Sequence, residues 1–224
     1  MKATIITCAG RDRRIYRFLS SFQQNVKNAE LMTISFKPHF PEARFNIDKS
    51  YPGHISKYFE LERYVKNNKN WYIFTDMYDV LFMNDIVESE FEDGIILVSS
   101  EHHKWNENGY YKGILESKQF ESLYDKTVYC SGTFAMQGYQ FLELIEFYRR
   151  MKEQYKGGQL NQPLFNLFVQ QYPHRDSREL FMTLHQGIDK GMIKKIDMNK
   201  FTWSDGVMPT MVHGNGSYFE KYMC

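Results

Sequence analysis

Asp76 and Asp79 stand three residues apart, directly after the apolar run Trp71-Tyr72-Ile73-Phe74-Thr75, and a second run, Val80-Leu81-Phe82, follows at once. Two carboxylates this close repel each other. They stay ionised together most easily when a cation or a row of donors lies between them. An uninterrupted apolar, aromatic-rich run reads as a strand buried on both faces, as inside a parallel sheet. Polar residues just beyond the carboxyl end of such a strand occupy the place where open α/β sheets bind ligands. The pair therefore reads either as a divalent-metal site at the mouth of a sheet or as a polar turn. In the second case the Asp side chains accept from nearby backbone N–H groups.

Other residues could join that chemistry. Glu101 follows the buried run Gly94 to Ser100, with His102, His103 and Trp105 close behind. Adjacent side chains point in different directions, so at most one of the two histidines faces a shared site. Ser131-Gly132 interrupts the apolar run Thr127 to Met136, and a Gly inside a strand often marks close approach by a ligand or another backbone. His213-Gly214-Asn215-Gly216 follows Val207 to Val212. His213 is thus either a strand-end ligand or a structural histidine, and the two glycines free the backbone to fold around an anion or a tight turn. Arg11, Arg13 and Arg14, after the first strand, either meet phosphate or form a solvated cluster. Lys57 lies in the first turn of a helix, against the helix dipole. A nearby anionic ligand would offset that, and an exposed lysine would tolerate it.

Positioning these groups requires alternating strands and helices. Ala3 to Thr7, Leu31 to Phe36, Trp71 to Thr75, Gly94 to Ser100 and Thr127 to Met136 read as strands. Helices are expected from Cys8-Ala9-Gly10-Arg11 onward, over about 54–67, over about 139–155, and after Asn161-Gln162-Pro163, where Pro suits a first helical turn. Phe181–Leu184, Ile193–Ile196 and Val207–Val212 read as short edge strands. Pro38, Pro41 and Pro52-Gly53 punctuate a loop, and residues 106–125 read as a loop with a short helix. The turn after the first strand is neither a Walker loop nor a full dinucleotide fingerprint.

At 224 residues the chain can bury a substantial core. Its aromatic share of 17% predicts a thick core with rings to spare for stacking. A net charge of +1 points away from nucleic acid or an anionic membrane as the main partner. Cys8, Cys130 and Cys224 are too few and too scattered for a disulfide framework, so a reducing compartment is expected. Arg11 arrives before a secretory apolar region can form, and no apolar run approaches the ~20 residues of a membrane span. A cytoplasmic location is expected on these grounds.

Phe74-Thr75-Asp76-Met77-Tyr78-Asp79-Val80-Leu81-Phe82 resembles the metal-binding motif of GT-A nucleotide-sugar glycosyltransferases. It is most similar to the glycosyltransferase domain of procollagen lysyl hydroxylases, and the likeness runs in order along nearly the whole chain. Thr4 to Arg11 falls where that family binds uridine, Lys57 resembles a lysine near the nucleotide, and Ser99-Ser100-Glu101 with Trp105 resembles a Ser-Ala-Glu segment followed by Trp. Ser131-Gly132 resembles an acceptor-side Asn-Ser-Gly-Gly turn, and Gln162 the Gln of an Asp-Gln motif. Val212-His213-Gly214-Asn215-Gly216 is similar to a terminal Val-His-Gly-Asn-Gly. There are departures. Asn161 stands where the family has Asp, and Phe219 where it has a lysine, for which Lys221 is the candidate replacement. The 224 residues hold nothing that resembles that family's oxygenase domains, so no iron chemistry is expected of them. Collagen is not the expected acceptor, and the better analogy is with single-domain microbial or large-DNA-virus transferases.

The resemblance implies one α/β GT-A (Rossmann-like) domain over 1–224, with a mixed, mostly parallel sheet flanked by helices. Residues 1–100 would be the nucleotide-binding half, and 101–224 the acceptor half carrying the terminal metal and phosphate motif. It implies a UDP-sugar donor, UDP-glucose first, and a glycan or glycoprotein acceptor. Asp76, Asp79 and His213 would hold Mn²⁺, or Mg²⁺ as second choice. Thr7, Ala9, Arg11, Lys57, Asp76, Tyr78, Ser131, Gly132, Gly214, Gly216 and Lys221 would line the nucleotide-sugar site, with Tyr78 stacking on uracil. Glu101, Trp105, Asn161 and Gln162 would touch the transferred sugar, Glu101 serving as base if the reaction inverts. Two alternatives remain: a non-catalytic sugar-nucleotide or glycan-binding module, and a metal-dependent phosphoesterase that would need a second acidic cluster.

Overall fold

Trp71, Tyr72, Ile73, Phe74 and Thr75 are all buried in β3 (Trp71–Thr75), so both faces of this strand must be covered. Alternation sends Tyr72 and Phe74 to one core cluster and Trp71 and Ile73 to another. The computed structural model describes residues 3–9, 15–35, 53–107, 118–151, 161–184, 187–197, 200–214 and 221–222. Arg11, Arg13, Arg14, Asn215, Gly216, Phe219, the loop prolines and Cys224 lie outside the described residues, as does the side chain of Ala9.

The main sheet sets β3 between β1 (Thr4–Ala9) and β6 (Thr127–Gln137). Beyond β1 lies β2 (Glu30–Ser35), and beyond β6 lie β5 (Ile96–Lys104) and β7 (His174–Asp176). The order is β2-β1-β3-β6-β5-β7, and β6 alone runs against the other five. This is the expected mixed, mostly parallel sheet. One face is covered by α1 (Ile15–Asn25), where Phe18 and Phe22 meet Phe82 edge-on at 5.1 and 5.4 Å. The other carries α2 (Gly53–Leu61), α3 (Gly138–Met151) and α4 (Asn161–Val169). The high aromatic content is spent there. Phe74 stacks on Phe134 at 4.9 Å and on Phe141 at 4.2 Å, and Phe165 meets Phe134 at 4.6 Å.

A second sheet closes the site. It has the order β4-β11-β8, from β4 (Val80–Phe82), β11 (Met211–His213) and β8 (Phe181–Thr183). β11 is antiparallel to β4 with His213 opposite Val80, and parallel to β8. A hairpin of β9 (Ile193–Asp197) and β10 (Lys200–Trp203) stands apart.

Several expectations are corrected. β11 starts at Met211 rather than Val207 and is the centre of its sheet, not an edge. Ser131-Gly132 does not break β6, whose backbone stays paired: the Asp76 N–H donates to Gly132 O at 2.7 Å. β5 runs on through Glu101 to Lys104 past a pairing irregularity, with His102 at a φ of 62°. The second helix stops at Leu61, short of residue 67, although Val65 is still buried. β7, polar and three residues long, and β10, four residues long, are too short to show a period and go beyond the expected strands.

Candidate functional site

Three elements far apart in sequence converge at the carboxyl end of β3. Asp76 follows that strand, and Asp79 sits where the chain enters β4. The β4–β11 register then delivers His213 beside Asp79. His213 Nε2 lies 3.2 Å from Asp79 Oδ1 and 4.0 Å from Asp76 Oδ2. One ligand atom from each of the three residues falls within 4.8 Å of the others, the single such cluster among the described residues. The Gly214 N–H donates to the Asp79 carbonyl at 2.7 Å and fixes the turn.

The donor set of two carboxylates and one imidazole suits a divalent cation. His213 is 3% exposed, and its Nε2 faces the acids without an aligned hydrogen bond. Burial opposes a charge on this imidazole, but the neighbouring Cys130 and Asp79 raise its pKa well above the usual 6.5. Room for a ligand comes from Gly132, directly across from Asp76. A Cβ there would lie 2.5 Å from Asp76 Oδ2 and 2.8 Å from His213 Cε1. Lys57 Nζ pairs with Asp76 Oδ1, which leaves Oδ2 for the cluster. Burial would lower the Lys57 pKa, but the Asp76 carboxylate more than offsets this and raises it. Lys57 is therefore an ion-pair partner inside the site rather than an exposed lysine.

A second polar group lies on β5 and α4. Glu101 is 1% exposed, and its Oε1 accepts from Gln162 Nε2 at 2.8 Å. Burial pushes its carboxyl from 4.5 up to about 7, against the Gln162 hydrogen bond and the His213 charge, which both lower it. Between about pH 4.5 and 7 the folded protein holds a proton that the unfolded chain has released. The stabilisation is complete below the unfolded value and is lost as pH rises through the folded one, by about 3 kcal/mol. Glu101→Gln keeps the acceptor for Gln162 and removes the titration. Urea unfolding of both proteins at about pH 5 and about pH 8 should show the parent losing about 3 kcal/mol more than the variant over that interval.

Other expected site residues have structural work. Trp105 has no exposed surface and packs in the main core. The Thr7 hydroxyl is buried and donates to the Thr75 carbonyl at 2.7 Å, tying β1 to β3 one residue before Asp76. It is turned into the sheet. Asn161 is buried; its Oδ1 accepts from Tyr148 at 3.2 Å, and its Nδ2 donates to Ser131 Oγ at 3.0 Å. Both Asn161 and Ser131 are thus braces beneath Gly132, and Tyr58 joins them through the Ser131 carbonyl. The Gly214 amide donates to the Asp79 carbonyl. Tyr78 is half-buried against the α1-side core. Lys221 lies over the Tyr222 ring at 4.7 Å, beside the cluster under β9 and β10. His102 Nε2 meets the Thr183 carbonyl at 3.0 Å, and His103 Nδ1 the Glu101 carbonyl at 2.9 Å, so neither joins the acid pair.

Two side chains behind the cluster carried no sequence signal. Cys130 Sγ lies 3.1 Å behind His213 Nδ1. Asn166 exchanges two 2.8 Å hydrogen bonds with the backbone of Tyr129 and so anchors α4 to β6.

The fold matches glycosyltransferases of known structure. LgtC, a galactosyltransferase solved with donor and acceptor sugar analogues, aligns with a TM-score of 0.57 at 12% identity, over 95% of this chain and 87% of that one. The bifunctional glycosyltransferase WbbM gives 0.60 at 10% identity, over 99% of this chain and 49% of that one. A glycosyltransferase involved in glycosylation of the major capsid of PBCV-1 gives 0.54 at 9% identity, over 99% of each chain. No family model matches the chain, and no curated protein matches it in sequence. The likeness defines a class of fold: the chain has the GT-A type fold of these enzymes.

Proposed function

We propose that the chain is a divalent-cation-dependent glycosyltransferase that moves a hexose from a UDP-sugar, UDP-glucose first, to a glycan or glycoprotein acceptor. The observation that carries this reading is the meeting of Asp76, Asp79 and His213 at the carboxyl end of β3, on a GT-A type sheet. LgtC with its donor and acceptor sugar analogues supports a sugar donor and acceptor here. The uridine diphosphate rests on the motif resemblance.

Asp76, Asp79 and His213 would hold Mn²⁺, or Mg²⁺ as second choice. Bound there, the cation would stabilise the negative charge that builds on the departing diphosphate. Lys57 pairs with the Asp76 carboxylate and fixes its orientation. It also brings its own positive charge to the same end of the sheet. Two opposite unit charges ~4 Å apart interact by roughly 4 kcal/mol at an effective dielectric near 20, and each ~1.4 kcal/mol is tenfold in rate. Gly132 leaves the volume in front of the acids clear. Glu101, held by Gln162 and titrating near neutrality, is the candidate to take the acceptor hydroxyl's proton.

One observation favours the second reading, a sugar-nucleotide or glycan-binding module without turnover. Asn161, at the position where an acid was expected, is neutral and committed to Tyr148 and Ser131. A phosphoesterase is disfavoured, because the described residues hold a single candidate metal cluster. Thermal unfolding with UDP-, GDP- and dTDP-sugars in the presence of Mn²⁺ should raise the melting point for the UDP-sugars, since a ligand of the native state stabilises it. Release of free sugar from UDP-glucose, slow and dependent on Mn²⁺, supports the transferase. Binding with no turnover on any acceptor supports the module. The absence of any sugar-nucleotide effect contradicts both.

A further inference from the structure

Behind the acid cluster, on the side of His213 away from Asp79, sits a side chain the proposed chemistry does not use. Cys130 is 1% exposed. Its sulfur lies 3.1 Å from His213 Nδ1 and also takes the Gly132 N–H at 3.3 Å. The other ring nitrogen, Nε2, is buried and directed at the two carboxylates. An imidazole that binds a cation through one nitrogen generally presents its other nitrogen to an outer partner. That partner sets the tautomer and the ring orientation, and it is ordinarily a carboxylate, a carbonyl or a water. Here the group in that position is a thiol sulfur.

We infer that Cys130 is a positioning residue for the cation site: its sulfur holds the His213 ring from behind, so that Nε2 presents its lone pair to the space shared with Asp76 and Asp79. The inference rests on the cation reading proposed above. The same sulfur also fixes the backbone of Gly132, whose missing side chain leaves the cradle open. One atom therefore sets two walls of the site, the imidazole and the glycine. Neither the β4–β11 register nor the packing of β6 does this alone, because each places a backbone and leaves the ring free to turn about its own bonds.

The test uses the full chain with Cys130→Ala and Cys130→Ser. Mn²⁺ binding is read from the electron paramagnetic resonance signal of the free ion, and folding from thermal unfolding in EDTA. Cys130→Ala is expected to weaken Mn²⁺ binding by about 10- to 100-fold, the usual effect of losing an outer-shell partner. Cys130→Ser, which keeps an acceptor, is expected to stay within about fivefold of the parent. In the Zn²⁺-loaded protein, the ¹⁵N shift of His213 Nδ1 should match the parent in Cys130→Ser and move in Cys130→Ala. A purely space-filling role would not separate the two variants in this way. Equal Mn²⁺ affinity for parent and Cys130→Ala overturns the inference and leaves the cation site standing. So does equal weakening of both variants with the ring signal unmoved. A parent that binds no Mn²⁺ overturns the inference and the cation reading together.

Discussion

Asp79→Ala is expected to weaken divalent-cation binding by more than about 100-fold while leaving the fold intact. Loss of an outer-shell partner already costs about 10- to 100-fold, and a direct ligand exceeds that. The turn should survive, because what holds it is the Asp79 backbone carbonyl, which accepts from the Gly214 N–H at 2.7 Å and remains in the alanine variant. The carboxylate itself is 17% exposed and lies close to another acid, so its removal relieves repulsion as well as ending its contact with His213. In EDTA, the melting temperature should stay within about 4 °C of the parent, the equivalent of ~1 kcal/mol for a chain of this size. Titration of Mn²⁺ against both proteins, with UDP present, reads the effect. Parent-like affinity in Asp79→Ala would remove Asp79 from the site.

Gly132→Ala is expected to damage both the fold and the site. The added methyl would lie 2.5 Å from Asp76 Oδ2 and 2.8 Å from His213 Cε1, closer than real side chains pack, and a tight 3.2 Å from His213 Nε2. Little can yield. His213 is buried, backed by Cys130 and carried on the central strand of its sheet. Asp76 can swing only by loosening its pair with Lys57. Overpacking of this kind costs about 1–3 kcal/mol, so a fall of roughly 2–12 °C in melting temperature is expected. Because the clash displaces two of the three cluster residues, Mn²⁺ affinity should drop by about tenfold or more, comparable to losing an outer-shell partner. An unchanged melting temperature with unchanged Mn²⁺ affinity would mean that Gly132 is not a wall of the site.

The main strands could be read from the chain because burial on both faces leaves continuous apolar runs, as in Trp71–Thr75 and Ile96–Val98. The Asp76–Asp79 pair could be read because it interrupts such runs. His213 is different. It reaches the acids through the pairing of β4 with β11, a contact between distant segments only three residues long. No local period records such a contact, so it was the resemblance that joined His213 to the acids. Three expected site residues face inward for a reason the sequence does not carry. Sequence shows that Thr7, Trp105 and Asn161 lie near strand ends or helix starts, not whether each side chain turns toward the cleft or into the protein. All three turn inward, Thr7 to the Thr75 carbonyl, Trp105 into the core, and Asn161 to Tyr148 and Ser131. Cys130 was invisible for the opposite reason. A lone cysteine beside Ser131-Gly132 gains meaning only when the fold sets it against an imidazole.

The proposed transfer depends on a cation held by Asp76, Asp79 and His213 with a sugar diphosphate resting on it. Calorimetric titration of UDP into the parent protein, once with Mn²⁺ and once with EDTA, addresses that directly. The expected result is saturable binding with Mn²⁺ that weakens by about tenfold or more in EDTA, since the diphosphate then loses its main source of positive charge. UDP affinity that is the same in both, or no UDP binding in either, would contradict the account.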